Sequence, residues 1–345
     1  MILVRVSHFL AVLLTMFISS YSGADAWADP VPVDNLFGTA AVVLRGEVKQ
    51  FTAVERADSE WHGVPTVVTR YRAQVVTDRI YKGTASATVT ITYIRPDDRL
   101  CAVSPCIELK VGDHNYFFLN MGKQGLELDD PKSGKFRAPR RTEFRDQTGL
   151  DALKNDFVVG LNDPDDAVRL TQIELVGASG RKTDAEQLLR ILPTGDALTN
   201  ATIYHSLLQL GDYSTLTSMR TFLEARSNVP AIERLRFLCL SQVNAITDPA
   251  AVDVLIDLAQ SPSDDVRESA IHALRSIKAA KAIPVFIRAL DDRVQVVRYD
   301  AVIALAELEH NWTLAPSFDA FRENEGKYIV AWKLWRQTSR QAPTE

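Results

Sequence analysis

The chain has 345 residues, of which 46% are hydrophobic and 24% are charged, and its formal net charge is −5. This length allows two ordinary domains, and the composition is that of a folded globular protein. The acidic balance argues against a dedicated nucleic-acid binder, which normally presents a basic face.

Residues 1–28 predict a secretory signal peptide. Arg5 precedes an apolar run at residues 9–18, which is shorter than the roughly 20 residues that cross a membrane. The alanines at 24, 26 and 28 then fit an A-x-A cleavage pattern; a buried N-terminal helix is the alternative. We therefore expect a mature chain that starts near Trp27 or Asp29 and works outside the cytosol, in the periplasm or the medium.

Residues 34–140 predict a small antiparallel β domain. Apolar and polar residues alternate around Val42, across residues 66–81 and around Ile91, and residues 116–119 form a short apolar run. Alternation rich in Val, Thr, Tyr and Phe indicates strands. About five strands in about a hundred residues would close as a small barrel, which removes exposed edges.

Four segments of this domain resemble the netrin-like module. They are Gly46-Glu47-Val48, Tyr71-Arg72-Ala73-Gln74-Val75, Ile80-Tyr81-Lys82-Gly83 and the stretch at 109–119. The resemblance implies an OB-type barrel, which the module shares with tissue inhibitors of metalloproteinases. Those inhibitors dock an N-terminal cysteine on the protease zinc, and the predicted mature N-terminus has none.

Two of the three cysteines lie close together. Cys101 and Cys106 flank a Pro105 turn, and an oxidising compartment favours a disulfide between them. Free thiols or a metal pair are the alternatives, although a zinc site needs more ligands than this spacing offers. Cys239 lies in an apolar helical context and is expected to be an inert core thiol.

The segment at 141–149 is predicted to be a linker, and it overlaps a basic run. The run comprises Lys132, Lys135, Arg137, Arg140, Arg141 and Arg145. It is interpreted as a solvated linker, with weak contact to an anionic polymer as the alternative, because interleaved acidic residues dilute its field.

Residues 150–338 predict an α-solenoid of helical hairpins, because Leu, Ala and Ile recur at spacings of three and four. The expected first helices are 184–192, 215–224, 250–260 and 281–290. The expected second helices are 167–176, 198–210, 231–245, 265–277 and 294–308.

A repeat of 31 residues links two of the second helices. Val266 and Arg267 recur as Val297 and Arg298 (297 − 266 and 298 − 267 are both 31). The pair Asp166 and Arg169 shows the same pattern less clearly, and Leu198 and Ile232 are the candidates for the intervening Val positions. Asp166 and Asp265 are expected to cap their helices, and the arginines to tie one turn to the next.

These units resemble HEAT repeats, specifically the short form also found in phycobilisome lyases; the resemblance is clearest at residues 249–309. It implies an armadillo-like helical solenoid whose concave face, built by the second helices, binds other proteins. It carries over no lyase chemistry. The aromatic residues that follow, at 312–335, are expected to close the array, and residues 339–345 to form a disordered tail.

The chain has no sequence motif for catalysis, a phosphate-binding loop or a clustered Cys/His set. We therefore predict no catalytic, cofactor-binding or metal-binding residue. The expected function is that of an exported, non-enzymatic protein-binding or scaffold protein with an unidentified protein partner on the solenoid. The alternative is a protease-inhibitor-like or enzyme-associated activity of the netrin-like domain.

Overall fold

A computed structural model describes residues 32–61, 64–96, 98–101, 106–123, 125–128, 134–140, 148–192 and 195–339. The predicted signal peptide lies outside these residues. Contacts divide the chain into two compact units, Met1–Gly195 and Asp196–Glu345, and each unit is considered by itself.

The first unit combines a sheet with short and medium helices. Its strands are β1 (Val42–Trp61), β2 (Val64–Lys82), β3 (Thr88–Pro96), β4 (His114–Gly122), β5 (Gly125–Leu128) and β6 (Lys135–Arg137). Its helices are α1 (Val33–Thr39), α2 (Asp98–Cys101), α3 (Leu150–Gly160), α4 (Asp166–Ala178) and α5 (Ala185–Ile191).

The strand pairings run in a circuit. β1 pairs with β2 and β2 with β3, both antiparallel, and β3 pairs with β5 in parallel. β5 then pairs with β4, and β4 pairs with β1, so the fifth pairing returns to the first strand. β6 adds to β4. The predicted β region is confirmed, whereas β5, β6 and the full length of β1 were not expected.

One face of these strands forms an apolar core. Alternate residues of each strand point to the same side, which places Leu44, Val75, Ile91 and Phe117 together in the interior. Cys101 and Cys106 form the predicted disulfide beside this core, with their Cα atoms 5.4 Å apart.

Helix α3 packs on the outer face of the sheet. The ring of Phe157 meets Tyr116 edge-on at 5.2 Å. Asp156 is buried and accepts hydrogen bonds from Arg79 at 2.8 Å and from the hydroxyl of Tyr81. Burial first, and then the charges around it, raise the pKa of Tyr81, so the hydroxyl stays protonated and donates. The compact unit therefore extends past the predicted linker at 141–149, as far as Gly195.

The second unit is helical. Its helices are α6 (Ala197–Gln209), α7 (Leu216–Glu224), α8 (Pro230–Asn244), α9 (Val252–Leu258), α10 (Asp264–Ile277), α11 (Ile283–Ala289), α12 (Gln295–Leu308), α13 (Phe318–Glu323) and α14 (Glu325–Ser339). These are the predicted helices of this region, followed by a final hairpin. Short 3-10 turns precede α9 and α11.

The helices alternate between two layers, as the hairpin pattern predicts. The second helices α6, α8, α10 and α12 pack on one another in succession. Their inner faces contribute to a continuous apolar core with the first helices α7, α9 and α11. Across the residues that the structure describes, no helix is both long enough and apolar enough to span a bilayer.

Candidate binding face of the helical array

The exact 31-residue offset extends to α8, for which Ile232 was the predicted repeat position. The core positions of α10 are Val266, Ala270, Leu274 and Ile277. Subtracting 31 gives Leu235, Cys239 and Val243 in α8 and Ile246 just after it, and all four are buried. The position equivalent to Val266 is therefore Leu235 rather than Ile232. The same offset was available in the sequence, but the acidic pair that precedes Val266 is replaced by Glu233-Arg234.

Three arginines share this offset, since 267 − 236 and 298 − 267 are both 31. Arg267 bonds Asp292 in the next turn at 2.7 Å, and Arg298 bonds Glu325 at 2.9 Å. Arg236 on α8 bonds Asp265 of the following second helix, α10, at 3.0 Å. Each arginine thus connects its own hairpin to the following one.

Arg236 is the most enclosed of the three, with a side chain only 2% exposed. Its guanidinium also donates to Glu233 and to the backbone carbonyl of Leu223. A buried charge is tolerated only when it is paired and hydrogen-bonded. Sequence reasoning missed this residue, although its offset from Arg267 would have identified it.

Asp166 and Asp265 lie in the first turns of their helices and do not cap them as predicted. Asp265 makes no capping bond at α10; its carboxylate binds Arg236 and Arg226 instead. At α4 the capping residue is Asp165, which accepts from the backbone amides of Ala167 and Val168. Asp166, the residue predicted for that role, pairs with Arg169.

The outward side of the second helices carries a row of residues at one repeat position: Phe237, Glu268 and Tyr299. Phe237 on α8 is 66% exposed, and Glu268 on α10 is exposed. Tyr299 on α12 is instead covered by Phe318 and Phe321, whose rings lie 5.0 and 5.5 Å away. The open part of the row therefore lies on α8 and α10.

A polar network connects α10 to α12 beside this row. The buried carboxylate of Asp300 accepts from Arg275 at 2.7 Å and lies 3.2 Å from Nδ1 of His272. Arg275 also bonds Glu307 at 3.2 Å. The hydrogen bond to Asp300 raises the pKa of His272 above its usual range despite partial burial. We call the surface formed by Phe237, Glu268 and His272 the second-helix face.

Other predicted positions lie elsewhere. Of the basic run, the structure describes Lys135, Arg137 and Arg140; the first two lie in β6, where the carbonyl of Arg137 accepts from Gln172. Lys132, Arg141 and Arg145 fall outside the described residues. In the final hairpin Phe321 and Trp332 are buried, whereas Trp312, in the 3-10 turn before it, is exposed. Among the described residues, no group of three His, Cys, Asp or Glu side chains is arranged to hold a metal ion.

Comparison with known proteins identifies the repeat. Residues 233–306 match the family model for HEAT repeats, which covers α8 through most of α12. A search of curated proteins found no match.

Two solved structures match this chain at low similarity. One is the complex of CpcE and CpcF of phycocyanin lyase from Nostoc sp. PCC7120, with 19% identity, a TM-score of 0.34, and coverage of 51% of this chain and 72% of that chain. The other is the X-ray structure of YIBA_ECOLI, with 16% identity, a TM-score of 0.28, and coverage of 50% and 78%. The assignment of HEAT repeats therefore depends on the family model and on the register described above.

Proposed function

We propose that this chain is an exported, non-enzymatic protein-binding or scaffold protein, and that its partner binds the second-helix face. Helical repeats stack into extended surfaces that are suited to protein partners. The proposal places the interaction on α8 and α10, where this surface is open, rather than on α12, where the final hairpin covers it.

The observation that carries the proposal is the exposure of Phe237. A phenylalanine that is 66% exposed leaves apolar area in water, although a single exposed apolar residue is common on protein surfaces. Here it shares a repeat position with charged Glu268 on the adjacent helix. A large exposed apolar side chain with a charged residue at the equivalent position of the adjacent helix fits the anchor and rim of a protein interface.

The sheet of the first unit would serve as a second interaction module. Its circuit of five pairings, with β3 and β5 parallel, supports a closed barrel of the OB type and the netrin-like assignment. Export is proposed from the predicted signal peptide at residues 1–28. The disulfide between Cys101 and Cys106 supports this compartment, because such bonds persist in oxidising environments.

The test is affinity capture from the native envelope and secreted fractions. The purified chain should retain a reproducible protein partner, and Phe237→Ala should lose most of it. Removing an interface anchor typically costs about 2 kcal/mol or more, which is roughly a thirtyfold loss of affinity.

Val330→Ala is the matched control, because Val330 is 55% exposed but lies on α14. This variant should bind like the parent chain. Equal binding by the parent chain and both variants would contradict the proposed face. Capture of no partner from either fraction would argue against the proposed function.

A further inference from the structure

Strand β1 has a long edge that carries no neighbour within the described residues. β4 pairs with β1 only over Val42–Glu47, whereas β2 pairs with it as far as Trp61. The turn at Gly112 and Asp113 bonds Val48. Every residue at positions 49–60 is exposed, so their outer backbone groups are available to a further strand.

The outer half of this edge is regular. The pairing with β2 shifts register between Ala53 and Glu55 and then proceeds without a shift to Trp61. Side chains on one strand alternate between faces, so Arg56 and Asp58 share one face and Ala57 lies on the other. Neither charged group has an ion-pair partner among the residues that the structure describes.

We propose that this edge pairs with the same edge of a second copy of the chain. The two β1 strands would run antiparallel about a two-fold axis through Ala57, and they would join the two sheets in the order β2-β1-β1-β2. Arg56 of each copy would then lie opposite Asp58 of the other. Two opposite-charge pairs flank a small central residue in this arrangement, and such cross-strand pairs stabilise antiparallel strands.

The charges select this register over its neighbours. Symmetry requires that a residue on the axis face its own copy, since opposed residues in a ladder point to the same side. An axis at Arg56 would oppose two arginines, and an axis at Asp58 would oppose two aspartates. Like charges directly opposite each other are destabilising. Of these three central registers, only the one at Ala57 combines attraction with no like-charge pair.

Charged residues and bulges on an edge strand normally prevent pairing with other chains. Here the bulge after Ala53 limits the free regular stretch, and the charges disfavour two of its three central registers while permitting the third. A single strand pair also buries less than the roughly 1,600 Å² of a typical stable interface. The expected dimer is therefore weak and depends on concentration.

Sedimentation velocity of the purified chain, from about 1 to about 200 μM, tests the proposal in the range expected for a small interface. The wild-type chain should shift from monomer toward dimer. Arg56→Asp should raise the dimer Kd about tenfold or more, because both charge pairs become repulsive. Asp58→Arg should do the same, and the double variant Arg56→Asp/Asp58→Arg should restore dimerisation.

Lys110→Asp is the control, because it changes the net charge by as much as Arg56→Asp but at an exposed position outside β1. It should leave the dimer Kd unchanged. The register is tested separately by oxidative cross-linking. Ala57→Cys would face its own copy and should form a disulfide-linked dimer, whereas Ser59→Cys would face Glu55 and should not. A wild-type chain that stays monomeric overturns the proposal, as does a double variant that fails to recover.

Discussion

Asp300 shows how a buried charge is accommodated between two helices of the array. Its side chain is 6% exposed, and the cation of Arg275 and the imidazole of His272 both contact it. All three groups belong to the α10–α12 contact. Protonation of His272 therefore changes the strength of the contact between α10 and α12.

The stability of the second unit should depend on pH through His272. Its folded-state pKa is raised, first by the hydrogen bond to Asp300, so the charged form stabilises the fold. This contribution is fully present below the unfolded-state pKa of about 6.5 and is lost as pH rises through the higher folded value. Because the side chain is 42% exposed, we expect less than about 1 kcal/mol.

Urea unfolding between pH 5.5 and 8.5 measures this contribution. The variant His272→Gln should flatten the decline in the free energy of unfolding as pH rises. His310→Asn removes another histidine while keeping a residue that tolerates the left-handed backbone at this position (φ 53°), and it should retain the decline. An unchanged profile in His272→Gln would show that the pair with Asp300 does not contribute.

At the scale of the helix, the 31-residue register assigns a role to Cys239. It occupies the position taken by Ala270 in α10 and by Ala301 in α12, and all three are fully buried. Small residues at this position allow the helices to approach closely. Burial also raises the pKa of the Cys239 thiol, so the side chain acts as a small apolar group.

Substitutions at Cys239 should therefore follow size rather than chemistry. Cys239→Ala should cost less than about 1.5 kcal/mol, whereas Cys239→Leu should cost about 1–3 kcal/mol because it overpacks the contact. Ser241→Leu adds similar volume at an exposed position of the same helix and should be nearly neutral. Chemical denaturation compares the three, and a well-tolerated Cys239→Leu would mean that the position is not tightly packed.

Helical periodicity is a local signal, so the sequence predicted the helices from 184 to 308 closely. Where no acidic pair marked the helix start, the repeat was extended by average spacing, which predicted Ile232 rather than Leu235 as the equivalent of Val266 in α8. β5 was missed because it has four residues, Gly125-Leu126-Glu127-Leu128, and depends on partners in β3 and β4 for its conformation. Short strands carry little pattern of their own.

For the proposed binding face, the sequence predicted only that it lies on the side formed by the second helices. The sequence could not show that Phe237 is exposed while Tyr299, at the same repeat position, is covered. That difference depends on where Phe318 and Phe321 pack, which no local pattern reports.

At the scale of the whole molecule, the first unit should require α3 to fold. Asp156 accepts hydrogen bonds from Arg79 and Tyr81, which are 77 and 75 residues away in the chain. Phe157 packs against Tyr116. Removing α3 would leave the buried Arg79 without this carboxylate and expose an apolar surface. These long-range contacts explain why composition and periodicity placed a boundary earlier than the contacts do.

A fragment of residues 29–195 should therefore unfold cooperatively, whereas a fragment of residues 29–149 should not. Thermal melts followed by near-ultraviolet circular dichroism distinguish the two, since this signal reports fixed aromatic packing. Asp156→Ala in the longer fragment should give a stability between those of the two fragments. Its free energy of unfolding should fall by about 3–5 kcal/mol, because the change breaks a buried ion pair. Equal stability of both fragments would show that α3 is dispensable for the sheet.

The pairing of β1 with β4 also determines the order in which the chain can fold. Val42 pairs with Leu119, so the sheet cannot close until both distant segments have been synthesised. The helical hairpins of the second unit close over about 31 residues each. Contacts between distant residues form slowly and local ones quickly. During synthesis from the N-terminus, the half that emerges first is therefore expected to be the slower of the two to reach its native structure.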